Sequence, residues 1–147
     1  MKRDLNILLI DDNPDHVKII VWALEQSDVK NKVSVIEDGK KALEVLESLE
    51  TPDSILAKIP DIIFLDINLP EVNGIDILKH IKGNPRLKSI PVIILSSSDR
   101  IEDINTAYTH YANTYISKSQ MFNEVAQSIN TVCVYWATIA ELSSRSE

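Results

Sequence analysis

Five short apolar runs alternate along this chain with longer amphipathic stretches, and that alternation restricts the fold more than any other feature of the sequence. The runs fall at residues 5–10, 33–36, 61–66, 91–95 and 113–117. Ile62, Ile63, Val92, Ile93 and Ile94 give them the β-branched content of strands covered on both faces. Between the runs, apolar residues return at helical spacing. Val17, Val21 and Leu24 share one face, Ala42, Val45, Leu46 and Leu49 a second, and Ile101, Ile104, Tyr108 and Tyr111 a third. Asn13 before Pro14 reads as the N-cap and first residue of a helix reaching about residue 27. Further helices are predicted over about residues 38–49, from near Gly74 to about Lys82, from about Asp99, and from near Gln120 to about Leu142.

Strands and helices in strict alternation form βα units on a parallel sheet, and right-handed crossovers leave few topologies. The expected fold is α/β: a flavodoxin-like, doubly wound (βα)5 sandwich whose five-stranded parallel sheet has the order 2-1-3-4-5. In that order the first and third strands adjoin, and ligands bind outside their C-terminal ends. The chain places charge at that edge. The first strand runs into Asp11-Asp12, the third into Asp66, and the fifth into Lys118. Three carboxylates and an ammonium pack poorly together, but they suit a divalent cation held beside a phosphoryl group.

Each residue also has an ordinary structural reading. Asp11-Asp12 could cap a helix, although Asn13 already fills that position. Asp66 could form a turn, Ser96-Ser97-Ser98 could be helix-cap chemistry alone, and Lys118 could lie on the surface. The combination, in order and at the right strand ends, argues for a site.

Composition narrows the function classes. The 147 residues suit one domain, 1–147, with an extended C-terminal helix and tail at about residues 126–147. Fifteen lysines and arginines against 22 acidic residues give a charge of −7, unlike the basic patch of a nonspecific nucleic-acid binder. Cys133 stands alone and forms no internal disulfide, which fits a reducing, cytoplasmic setting. No signal peptide is visible, and no stretch approaches the roughly 18–20 apolar residues of a membrane span.

Asp11-Asp12, the loop from Asp66 through Pro70 to Gly74, Ser96 five residues after Pro91, Tyr115, and Lys118 three residues later resemble the receiver domains of two-component response regulators. The resemblance covers about residues 5–125. It implies that Asp66 is the phosphoacceptor, attacking a phosphohistidine on a sensor histidine kinase. It implies Mg²⁺ ligated by Asp12, Asp66 and the backbone carbonyl of Asn68, with Asp11 acting mainly through water. Lys118 would pair with the phosphoryl oxygens, and Ser96 and Tyr115 would be the switch pair. Two positions depart from the pattern. Ser119 stands where a proline often follows the lysine, which disfavours a cis 118–119 peptide by about 2.5–4 kcal/mol. Ser97 stands where a small apolar residue is common, which bears on access to the phosphoryl group. His16, His80 and His110 fall on different predicted helices and read as surface or core residues, making the chain an acceptor and not a kinase.

No DNA-binding module follows the receiver region, so the expected output is protein contact or onward phosphate relay. Phe122, Val125, Ala126, Ile129, Val132, Cys133, Trp136, Ile139 and Ala140 recur at helical spacing. Val134, Tyr135 and Trp136 would make the end of this helix apolar around most of its circumference. A homodimer through the fourth helix, fifth strand and fifth helix is therefore expected, with Tyr135 and Trp136 as anchors. The aromatic extension, Ser119 and the lengthened connection at residues 50–60 resemble the small response regulators paired with bacterial phytochromes, notably in cyanobacteria. That resemblance implies a light-regulated histidine kinase as phosphodonor. Rival readings fit less well. A haloacid-dehalogenase-like phosphatase begins with Asp-x-Asp after its first strand, whereas this acidic pair is adjacent. A flavodoxin needs a Ser/Thr-rich phosphate loop there. A degenerate scaffold would lack charged site residues that are all present here.

Overall fold

The computed structural model describes residues 4–49 and 59–139. Five parallel strands, β1 (Leu5–Ile10), β2 (Asn31–Ile36), β3 (Ile62–Leu65), β4 (Val92–Ser96) and β5 (Thr114–Ser117), form one sheet in the order β2-β1-β3-β4-β5. Helices α1 (Pro14–Glu25), α2 (Gly39–Ser48), α3 (Gly74–Gly83), α4 (Ile101–Thr109), α5 (Lys118–Asn123) and α6 (Val125–Val134) cover it. The fold is the flavodoxin-like doubly wound sandwich expected from the alternation.

The period-two geometry of strands divides the core into two layers. Leu8, Ile10, Ile63, Leu65, Val92 and Ile94 face α2, α3 and α4, where Ala42, Leu46, Ile77, Leu78, Ile81 and Ala107 are buried. Leu5, Ile7, Leu9, Ile62, Phe64, Ile93 and Leu95 face α1, α5 and α6, meeting Val17, Ile20, Leu24, Met121, Ile129 and Cys133. Burial raises the Cys133 thiol to about 11, so it stays protonated at neutral pH.

Asn13 caps α1 as predicted, its side chain accepting from the backbone N–H groups of Asp15 and His16. The face carrying Ile101, Tyr108 and Tyr111 is exposed, at 67%, 46% and 74%, and Ala107 is the buried residue of α4. Tyr111 lies past the helix end at φ 73°, and Tyr108 turns its hydroxyl outward along the sheet edge to accept the N–H of Tyr115 at 2.9 Å. The single long C-terminal helix is instead broken. It begins at Lys118 rather than Gln120, and Glu124 (φ −143°, ψ 62°) separates α5 from α6. A π-helical turn, Tyr135–Ile139, follows.

The end of that region is also less free than its composition suggests. Val134 and Trp136 pack against the core and Ala137 is buried, leaving Tyr135 as the exposed member of the predicted apolar trio. Asn130 holds α6 against the end of α1, its Oδ1 accepting from Ser27 Oγ and from the Asp28 N–H, both at 2.8 Å. Residues 50–58 of the lengthened connection and positions from Ala140 onward lie outside the described residues.

The loop from β3 to α3 closes tightly on itself. The Gly74 N–H donates to the Ile67 carbonyl at 3.0 Å. A Cβ on Gly74 would stand 2.5 Å from the Asp66 carbonyl oxygen and against Ile67 Cα, all backbone atoms that cannot swing aside. Gly74→Ala should therefore displace the segment carrying Asp66 and lower stability by about 1–3 kcal/mol in urea unfolding. An unchanged midpoint would show that the loop has slack.

Candidate functional site

Strand pairing brings the three carboxylates together. β1 and β3 run in register through Ile10 and Leu65, and the Asp66 N–H donates to the Ile10 carbonyl at 2.9 Å. The Asp11 N–H donates to the Ile36 carbonyl of β2 at 3.1 Å. Carboxylate oxygens of Asp11, Asp12 and Asp66 lie within 4.8 Å of one another. Asp11 and Asp66 are buried, and Asp12 is half-buried on the wall of an open pocket. Such a cluster of hard oxygen donors could hold a metal ion.

Lys118, two strands away from β3, is 2% exposed and reaches across to the cluster. Its Nζ lies 2.7 Å from Asp11 Oδ2 and 2.9 Å from Asp66 Oδ2. Removing these charges from water costs several kcal/mol per ion, and the short ion pairs offset that cost. Asp11 shows the strain of the arrangement. Burial drives its carboxyl above the usual aspartate range. The Lys118 ammonium and the Asn13 N–H, which donates at 3.0 Å, oppose the shift, while the Asp66 charge adds to it.

A hydrogen-bonded path leads away from the cluster. The Asn68 N–H donates to Asp66 Oδ1 at 2.9 Å, and Asn68 Nδ2 donates to Ser96 Oγ at 3.2 Å. The fully buried Ser96 Oγ also accepts the Ser98 N–H at 3.0 Å. The Tyr115 hydroxyl donates to the Ser98 carbonyl at 2.7 Å, and Ser98 Oγ donates to Asp103 of α4 at 2.5 Å. Tyr115 therefore stands outside the pocket but one carbonyl away from Ser96. Asn68, Ser97 and Lys118 line the pocket together with the start of α1. Ser117 and Ser119 hydroxyls lie 2.9 Å apart, and the 118–119 peptide is trans.

One residue belongs here that sequence reasoning set aside as surface or core. His16 lines the pocket, with its Nδ1 2.9 Å from Lys118 Nζ. The signal was present in the spacing. The first turn of a helix capped immediately after a strand-end acid lies over the switch point. His80 and His110 lie elsewhere, on α3 and at the end of α4.

Residues 7–130 match the response regulator receiver domain family. The chain is 33% identical over 130 residues to the probable methanogenesis regulatory protein FilR2 of Methanothrix harundinacea, covering 88% of this chain and 82% of that one. It is 28% identical over 130 residues to the response regulator Rcp1 of Synechocystis, covering 88% of this chain and 87% of Rcp1. Among solved structures, the phosphorylated cyanobacterial phytochrome response regulator RcpA superposes with a TM-score of 0.85 at 34% identity, over 97% of this chain and all of that one. The Mn²⁺-bound form of Rcp1 superposes with a TM-score of 0.83 at 27% identity, over 95% and 99% of the two chains. An acidic pair and a lysine converging on a strand-end aspartate, within a 2-1-3-4-5 sheet and over a matched span that leaves out only the two ends, place this chain in the response regulator receiver domain family.

Proposed function

We propose that this protein accepts a phosphoryl group from a partner histidine kinase onto Asp66 and signals by a phosphorylation-dependent change of its surface. The observation that carries this reading is Asp66 itself. It lines an open pocket, with the Lys118 ammonium at 2.9 Å and two further carboxylates in the same cluster. A carboxylate oxygen of Asp66 attacks phosphorus, the P–N bond to the kinase imidazole breaks, and an acyl phosphate forms. Mg²⁺, held by Asp12, Asp66 and the Asn68 backbone carbonyl with Asp11 acting through water, would neutralise charge on the transferring group. Lys118 supplies a compact positive charge to the phosphoryl oxygens.

Ser96 and Tyr115 provide the readout. Ser96 Oγ donates to a phosphoryl oxygen and draws the β4–α4 segment inward, disturbing its contacts with Asn68 and Ser98. Tyr115 then leaves the Ser98 carbonyl and moves inward, altering the face of α4, β5 and α5. The protein is a phosphoacceptor switch rather than an enzyme acting on other substrates. Its setting is the cytoplasm, without nucleic-acid or membrane binding; among the described residues no helix is long and apolar enough to cross a membrane. The likeness to RcpA, a phytochrome response regulator, favours a bacterial phytochrome kinase as donor. A homodimer through the α4–β5–α5 face is supported by the exposed Ile101, Tyr108 and Tyr111, and by Tyr135 of the C-terminal extension.

Incubation with acetyl phosphate and Mg²⁺, read by intact mass, should add one phosphoryl group, and Asp66→Asn should abolish the gain. No gain in the wild-type protein would indicate a scaffold, and repeated turnover of acetyl phosphate with no adduct a phosphatase. Light scattering should give twice the chain mass at micromolar concentration, with Ile101→Glu shifting it towards the monomer. A monomeric wild-type protein, with and without phosphorylation, would remove the dimer from the account.

A further inference from the structure

Lys118 carries three N–H bonds, and each has an acceptor in the structure: Asp11 Oδ2, Asp66 Oδ2 and His16 Nδ1. The two carboxylates take part in the proposed phosphoryl chemistry. A cation and a phosphoryl group on Asp66 compete with Lys118 for those oxygens. His16 Nδ1 is the acceptor that the chemistry leaves untouched.

We propose that His16 is a positioning residue: its Nδ1 lone pair holds the Lys118 ammonium at the pocket, keeping the other two N–H bonds directed at the reacting group. The inference rests on the reading of this pocket as a phosphoryl acceptor. An ammonium only donates, so Nδ1 must be the acceptor and the imidazole carries its single proton on Nε2. The ring is braced from two sides. The His16 N–H donates to the Asn13 cap at 3.1 Å, which fixes the first turn of α1. The ring meets Phe122 edge-on, with centroids 5.1 Å apart and planes at 63°. Phe122 lies four residues after Lys118, one helical turn along α5, so the helix that presents the ammonium also steadies its third partner.

The alternative is a half-buried histidine that merely fills space against Phe122. Two substitutions separate the readings. His16→Asn places an amide oxygen where Nδ1 stood but removes the ring; His16→Leu keeps apolar bulk but removes the acceptor. The measurements are the rate of phosphoryl uptake from acetyl phosphate, followed by intact mass, and the affinity for Mg²⁺ alone by calorimetry. His16→Leu should slow uptake roughly 10-fold or more, by analogy with the loss of a group that orients a metal ligand, and His16→Asn should recover most of the rate. Mg²⁺ affinity should stay close to wild type in both variants. A wild-type rate in His16→Leu, an equal loss in both variants, or Mg²⁺ affinity falling in parallel with the rate would each overturn the proposal. If the wild-type protein takes up no phosphoryl group, the phosphoacceptor reading fails. The Lys118 contact is tested apart from it by the ¹⁵N shifts of the His16 ring: an unprotonated Nδ1 supports it, and a protonated Nδ1 overturns it.

Discussion

The ammonium of Lys118, buried between Asp11 and Asp66, ties the C-terminal edge of the sheet together. Three strands end at it: β1 and β3 bring the carboxylates, and β5 brings the lysine. Without a cation between them, two buried carboxylates and a third at the pocket wall would repel one another where water cannot screen them. Such an ion cluster is costly to bury and adds little to net stability compared with apolar packing. Its presence at the edge where α/β sheets bind ligands therefore speaks for chemistry rather than for folding. The raised pKa of Asp11 points the same way, since burial there works against the charged form that a cation site needs.

The same cluster is connected to the surface by few bonds. Asn68 links Asp66 to Ser96, Ser98 links Ser96 to Tyr115 and Asp103, and Tyr108 covers the backbone of β5. Each link is a single hydrogen bond worth about 0.5–1.5 kcal/mol net, so one new charge at Asp66 can outweigh the links near it. The exposed Tyr108 of α4, which accepts the Tyr115 N–H, lies at the far end of this path.

The strands and their order were legible because β-branched runs at regular intervals leave few arrangements, and the acids at their ends follow from the same reading. The features that were not legible depend on packing between elements distant in sequence. Nothing near residue 124 announces that α5 stops there and α6 begins, since apolar positions continue through the break. Whether the stripe on α4 is covered was not legible, because periodicity marks a face without saying what lies opposite. Ala107 suffices where the helix meets the sheet, and Tyr108 serves the edge of β5 instead. His16 was legible only in part: its spacing puts it in the helical turn over the switch point, but its contact with Lys118 spans 102 positions of sequence.

The carboxylate cluster requires a cation, supplied by Lys118 when no metal is bound. Thermal unfolding of the wild-type protein and of Lys118→Met, each in chelator and in millimolar Mg²⁺, tests it directly. Lys118→Met should melt well below wild type in chelator, and Mg²⁺ should raise its melting temperature more than that of wild type. Equal melting temperatures in chelator, or the same small Mg²⁺ effect on both proteins, would contradict it.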